Sequence, residues 1–391
     1  MYLSLDSDKY PLKSYGDLVG RVCGEKIRYA ADLLQSLQLL CNVAVIVLGN
    51  GQGLSQVTKG KGCYTILILV WALAGMIVGQ IRTLQKFGFL ANFAIWLNVF
   101  VIIATMVSVA HMAPNYAANP GVPIGPVITK AVVSGSGTGQ FSNQLVACMN
   151  IVYSYGGAIV FIEFMAEMRR PYDFWKGMIL AQSFIFIVYL IYGLFVYSQL
   201  GQFVVNPANQ GISGYAMQTV TNVFNFVSAV IAAALYGNIA IKVIFNTCIE
   251  KTFHVIALSV QRVIWTVSVV VYWALAFVIA SAIPQFSALT SLVGAVCILQ
   301  FTYTFPPLIK LIFDLRICDL EINQGTSTSW FNMKRIFNAY KPKFFLNTLH
   351  ILFFLASLAT AGLGIYSSAE TLKESYSSGA TTSFTCKSPI A

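Results

Sequence analysis

The residues of this chain best placed to handle a small polar solute are Ser154, Tyr155, Gly156, Gly157 and Ala158. They lie in the middle of an apolar run, 144–166, which reads QLVACMNIVYSYGGAIVFIEFMA. Each glycine of a pair weakens a helix by about 1 kcal/mol relative to alanine. The backbone can open there and offer free N–H and C=O groups. In lipid such an opening survives only where it lines a cavity. The competing reading is close helix packing, since small residues are common where membrane helices meet.

Glu163 lies six residues beyond Gly157, near the inner end of the same run. An ionisable group inside a span is a functional candidate, because burying its charge is costly. A carboxyl at this depth is a candidate carrier of a coupling proton. The plainer reading, favoured on the residues alone, brings Glu163 and Glu167 to the inner interface to pair with Arg169 or Arg170.

Three further stripes carry polar groups. Gln35, Gln38 and Asn42 share a helical face in one segment, and Asn222, Asn225 and Ser228 share one in another. Such stripes most often join helices, and a minority line a path for solute. Asn42, Asn225 and Ser228 are therefore secondary candidates. Ser287, Thr290, Ser291, Gly294 and Thr302 form a thin polar side that ends at Pro306-Pro307. His111 and His350 fall near span ends and read as interfacial. No nucleophile stands with a base, no glycine loop suits a phosphate, and no metal-ligand spacing occurs. No CxxC pair exists among the eight cysteines. Neither an enzyme, a cofactor nor a metal is expected.

These residues must be positioned by membrane helices. The 391 residues are 57% apolar and only 10% charged, against roughly 25% charged in soluble domains. Mean hydropathy is +0.72. A single water-facing globule of this size cannot hide so much apolar surface. The net charge of +10 needs no nucleic acid, because membrane proteins concentrate Lys and Arg in cytoplasmic loops.

A crossing helix needs roughly 20 apolar residues. Nine segments qualify: 27–49, 63–81, 90–110, 144–166, 176–199, 220–245, 257–282, 286–309 and 344–366. This divides the chain into a cytoplasmic segment 1–26, a transmembrane domain 27–366 and a mobile, non-cytoplasmic tail 367–391. With the N-terminus inside, nineteen of the 24 Lys and Arg residues fall on the cytoplasmic side. Only Lys59, Lys61, Lys130, Lys373 and Lys387 fall outside, which decides the expected orientation. Loops 111–143 and 200–219 are then outside. Cys63 and Cys386 also fall outside, which permits a disulfide without requiring one.

Four runs carry a family resemblance. YSYGGAIVFIEFMAEMRRPYDFWKGM, 153–178, resembles the signature of the amino acid/auxin permease family. In that signature a mid-span small pair is followed by an acidic residue and a short loop ending x-x-P-x-x-F-x-K-[GA]. Tyr155, Gly156, Gly157, Glu163, Pro171, Phe174, Lys176 and Gly177 match it. The runs 81–91, 10–24 and 289–308 resemble the family's loops before its fifth and third helices and its tenth helix. The nearest likeness is to fungal neutral amino acid permeases.

The resemblance implies an all-α, LeuT-type bundle of two inverted repeats, here lacking the family's first two helices and keeping about nine. It further implies secondary active transport of amino acids, neutral ones by preference, through alternating access. Substrate would meet the opened backbone at Ser154–Ala158. The expected partners are an amino acid, a coupling ion (a proton before sodium) and membrane lipid. The plasma membrane is favoured over the vacuole. The alternative, suggested by the two absent helices, is a non-transporting product or a regulatory partner of full-length permeases. A receptor or ion channel fits less well, since neither a ring of charge nor a filter repeat occurs.

Overall fold

The computed structural model describes residues 1–7, 9–82, 85–118, 122–130, 138–245, 258–322, 333–377 and 382–388. Among them, regular structure is helical apart from one bridge between Ser7 and Tyr10. Among the described residues, eight helices are long and apolar enough to cross a membrane. The expected segment 63–81 forms a shorter helix, α4 (Tyr64–Val78), of 15 residues. At 1.5 Å per residue it is only about 22 Å long. Large apolar side chains such as Leu180, Phe184, Ile187, Leu190 and Leu194 stand exposed along α8 (Phe174–Leu200). In water that surface would be untenable, and in lipid it is the expected exterior.

Contacts divide the chain into two units. The first gathers Met1–Gln35, Ser142–Phe174 and Ser291–Glu370. It opens with two short helices that the sequence reading treated as plain polar chain: α1 (Tyr2–Leu5) and α2 (Tyr15–Cys23). Helix α2 starts in a capping box. The Ser14 hydroxyl accepts from the Asp17 amide, and the Asp17 carboxylate accepts from the Ser14 amide, both at 3.1 Å. This satisfies two of the helix's orphan donors. Helix α3 (Glu25–Val57) begins in this unit and runs on into the other.

The core of the first unit forms around Met149, which is fully buried with Ala295, Leu299 and Ala361. Small residues make the close approach possible. A β-carbon on Gly294 would lie 2.5 Å from the Met149 carbonyl, and one on Gly364 would lie 2.5 Å from its sulfur. The span Phe286–Ile322 is not uniform. It begins as α11 (Phe286–Val293) and ends as α12 (Phe305–Ile322). Between them lie π-turns at Gly294–Ile298 and Gln300–Thr304. Such turns add a residue to the helical repeat and are frequent at functional sites.

The second unit holds Ser36–Phe141, Trp175–Thr290 and Thr371–Ala391. Here α5 (Gln85–His111) packs along α9 (Tyr215–Ile244), and α4 along α10 (Leu258–Ala282). A β-carbon on Gly75 would sit 2.1 Å from the Trp273 ring, so only glycine admits that contact. The uncharged stretch 200–219 is not a plain outer loop. Gln210 is fully buried, its amide donating to the Gly49 carbonyl at 3.2 Å. The Gln56 amide donates to the Gln210 carbonyl at 2.9 Å.

The expected mobile tail is also corrected. Helix α13 (Phe344–Ser377) continues ten residues past 367, and the described part of the remainder is pinned. Cys386 is disulfide-bonded to Cys63. The Tyr64 amide donates to the Cys386 carbonyl at 3.1 Å, and the Phe384 amide to the Ser281 carbonyl at 3.0 Å. Thr83 and Leu84 of the 81–91 run, and Lys251, lie outside the described residues.

Candidate functional site

The expected helix 144–166 is broken where the sequence places the small residues. Helix α6 (Thr138–Ser154) ends, a 3-10 turn spans Ala158–Val160, and α7 (Phe161–Glu167) resumes. The Ser154 hydroxyl donates back to the Ile151 carbonyl at 2.8 Å, a bond that competes with the helix at its last turn. The Gly156 amide still reaches the Tyr153 carbonyl at 3.1 Å. The amides of Gly157, Ala158 and Ile159 then make no hydrogen bond among the described residues. The ladder restarts at Val160, whose amide donates to the Gly157 carbonyl at 3.2 Å. Three unbonded amides in succession, of which Ile159 is buried and Gly157 and Ala158 half-buried, are suited to meeting an anionic group.

The two glycines differ. A β-carbon on Gly156 would fall 2.5 Å from two carbons of Ile298, so this glycine admits the π-turn beside it. On Gly157 the nearest atom is 3.9 Å away, on Phe161. Both sequence readings of the pair are therefore present: packing at Gly156 and an opened chain at Gly157.

Ala158 also lines a cavity of about 450 Å³ within the first unit. Its wall includes Tyr15, Leu18, Phe161, Ile162, Phe301, Thr302 and Ile309, and it contains no charged side chain. Tyr15 packs edge-on against Phe301, with ring centroids 5.2 Å apart. The Tyr15 and Thr302 hydroxyls are buried without a hydrogen-bond partner among the described residues. Burial pushes the Tyr15 phenol up from its usual value, so it stays a neutral hydroxyl. The sequence reading placed Thr302 on a polar stripe but passed over Tyr15. The signal for Tyr15 was the S-x-x-D capping pattern at 14–17, which starts a helix at that residue.

Glu163 departs from the favoured interfacial expectation. Its Oε1 accepts from the Gln35 amide at 2.6 Å and from the Tyr15 backbone amide at 3.2 Å. The same Gln35 nitrogen donates to the Ile159 carbonyl at 3.1 Å, tying the carboxyl to the broken chain. Glu163 Oε2 is buried without a hydrogen-bond partner, and neither Arg169 nor Arg170 pairs with Glu163 among the described residues. The short α2 keeps the carboxyl away from the interface by presenting its first amide.

The secondary candidates belong to the second unit. The Ser228 hydroxyl donates to Asn98 Oδ1 at 2.9 Å, which joins α9 to α5. Asn42 is buried, and its Oδ1 finds no donor among the described residues. Asn225 is half-buried on α9. Its neighbour Asn222, fully buried, donates to Gln56 Oε1 and accepts from the Asn209 amide, both at 3.1 Å. No group of three or more His, Cys, Asp or Glu suited to a metal occurs among the described residues.

A family model described as transmembrane amino acid transporter protein matches residues 2–367. The chain belongs to that family. Among its relatives is a protein named transmembrane transporter from Gibberella moniliformis, 24% identical over 93% of this chain and 72% of its own length. Another of that name, from Fusarium pseudograminearum, is 24% identical over 93% of this chain and 71% of its own. An N amino acid transport system protein from Neurospora crassa is 27% identical over 61% of this chain and 47% of its own. The broken helix and its cavity are thus features of an integral, multi-pass amino acid transporter.

Proposed function

We propose that this transporter moves neutral amino acids by alternating access, coupled to protons. The observation that carries the reading is the opened backbone at Ser154–Ala158 beside an apolar cavity of about 450 Å³. An amino acid presents a carboxylate, an ammonium and a side chain. The unbonded amides of Gly157, Ala158 and Ile159 suit the carboxylate. Carbonyls at Ser154 and Gly156, likewise without a donor among the described residues, suit the ammonium. A helix opened at mid-span binds both ends of a zwitterion in this way. The wall carries no charged side chain, which favours neutral side chains, because a charged one would lose its hydration without gaining a side-chain partner. Tyr15 and Thr302 join Ser154, Tyr155, Gly156, Gly157 and Ala158 as substrate-facing residues. Asn42 and Asn225, polar groups of the second unit, are secondary candidates, while Ser228 holds two helices together.

Glu163 is the proposed proton carrier, with Oε2 free to take the proton. The Lys and Arg distribution supports a cytoplasmic N-terminus. The disulfide supports the same orientation, since such bonds persist in oxidising compartments and Cys63 and Cys386 would then face away from the cytosol. A plasma-membrane location agrees with that.

The test is uptake into proteoliposomes containing the full chain. Labelled neutral amino acids should accumulate when the interior is made alkaline, and a protonophore should abolish the accumulation. Lysine and glutamate should compete poorly. Equal uptake with and without the gradient would reject proton coupling, and absence of any uptake would reject the transport reading.

A further inference from the structure

No carboxylate side chain lines the cavity. We propose that Asp32 is a second carboxyl in the proton path, taking the proton from Glu163 and passing it toward the cytoplasmic end of α3. This inference rests on Glu163 as the proton carrier of the transport reading.

The geometry starts on α3, where Arg28, Asp32 and Gln35 fall at helical spacing on one face. Exposure drops along this row, from 22% for the Arg28 side chain to 3% for Asp32 and 0% for Gln35. Gln35 binds Glu163 directly at 2.6 Å. Helix α2 brings the two carboxyls to one place. Its first residue, Tyr15, donates its amide to Glu163, and its second, Gly16, lies against Asp32. A β-carbon on Gly16 would fall 1.8 Å from Asp32 Oδ1, so glycine at this position makes room for the carboxyl. Consecutive residues of one helix turn thus lie against two acids, the buried Asp32 and the half-buried Glu163.

The approach of Arg28 to Asp32 is loose. The Arg28 guanidinium stands 3.9 Å from Asp32 Oδ2 but 2.6 Å from Asp17, which holds it whether or not Asp32 is charged. Glu25 is a third, looser partner at 3.9 Å. The charged groups near the pair among the described residues include Glu25 and Arg28 from α3 and Asp17 from α2, and the Tyr15 hydroxyl is neutral. Glu163 offers Oε2, a buried oxygen without a hydrogen-bond partner among the described residues. In the transfer, the O–H bond on Glu163 Oε2 breaks and an O–H bond forms on the Asp32 carboxylate. The negative charge moves to Glu163, where Gln35 and the Tyr15 amide receive it. Asp32 then gives the proton to water at the Arg28 end, and its restored charge faces the guanidinium.

Two measurements on the full chain test this. In proteoliposomes, Asp32→Asn should lower gradient-driven accumulation by about tenfold or more. It should leave exchange of labelled for unlabelled substrate within about twofold of the parent, and Asp32→Glu should restore accumulation with a shifted pH profile. A wild-type pH profile in Asp32→Asn overturns the proposal. So does equal loss of accumulation and exchange, which marks a structural role. The second measurement needs no transport: thermal unfolding of Asp32→Asn, Glu163→Gln and the double variant across acidic to alkaline buffers. Two coupled carboxyls repel once, so either substitution relieves the repulsion and the double variant should fall short of the sum at alkaline pH. Additive shifts overturn the pair even if the parent transports. If the parent proves not to be proton-driven, that reading falls, while the unfolding cycle still decides whether the pair exists.

Discussion

Gly156 and Gly157 are neighbours of one type with different work to do. A methyl group on Gly156 would press into two side-chain carbons of Ile298 at 2.5 Å and lie 3.2 Å from the Tyr153 carbonyl. Overpacking of this kind costs about 1–3 kcal/mol. Gly156→Ala should therefore lower the unfolding midpoint of the purified transporter, and adding Ile298→Ala should recover part of the loss. Gly157→Ala meets open space and should cost no more than about 1 kcal/mol. An equal penalty at both positions would contradict this division. The sequence marked the pair as the place where the helix breaks, because two glycines in a span are visible in one dimension. Which glycine packs and which opens was not visible, since the deciding atom belongs to a residue 142 positions away. Glu163 was misjudged for a related reason. Its arginine neighbours at 169 and 170 are close in sequence, while its actual partners, Gln35 and Tyr15, come from the far end of the chain.

Long elements were easy to read and short ones were not. A run of 20 apolar residues has few structural options in lipid, so the spans follow from hydropathy alone. Helix α2 has nine residues and carries Asp17 and Arg21, so it leaves no hydropathy signal. Its capping box was the available sign. That box has a consequence beyond α2 itself, because Tyr15 follows the cap and its amide holds Glu163. Ser14→Ala should cost about 1 kcal/mol of stability, the usual loss for an N-cap. It should also change the pH dependence of uptake, because a frayed first turn releases one of the two donors on Glu163. An unchanged pH profile together with lowered stability would separate the cap from the proton path. The π-turns at 294–304 were equally hidden, since Gly294 and Thr302 read as a polar stripe on an ordinary helix.

At the scale of the whole molecule, composition was enough for the class, and the division into two units was not legible. Each unit is assembled from three separated stretches of chain, and hydropathy carries no record of which spans meet. The tail was misread because Ser and Thr suggest mobility, whereas Cys386 reaches back across 323 residues to Cys63. That link closes the second unit and gives a direct probe of orientation. Cys63→Ser leaves Cys386 as a single thiol near the end of the chain. A membrane-impermeant maleimide should label it on intact cells, where the parent protein, with the bond formed, is labelled only after reduction. Cys23 should stay unlabelled until the membrane is opened. Even then it should react slowly, because burial pushes its thiol up and leaves little thiolate. The Cys63→Ser protein should also unfold earlier, since loss of a native disulfide typically costs about 2–5 kcal/mol. Labelling of Cys386 only after permeabilisation would invert the topology and place the Arg28 end of α3 outside. The proposed direction of proton release from Asp32 would then reverse with it, so this one labelling experiment fixes the sense in which the proposed coupling runs.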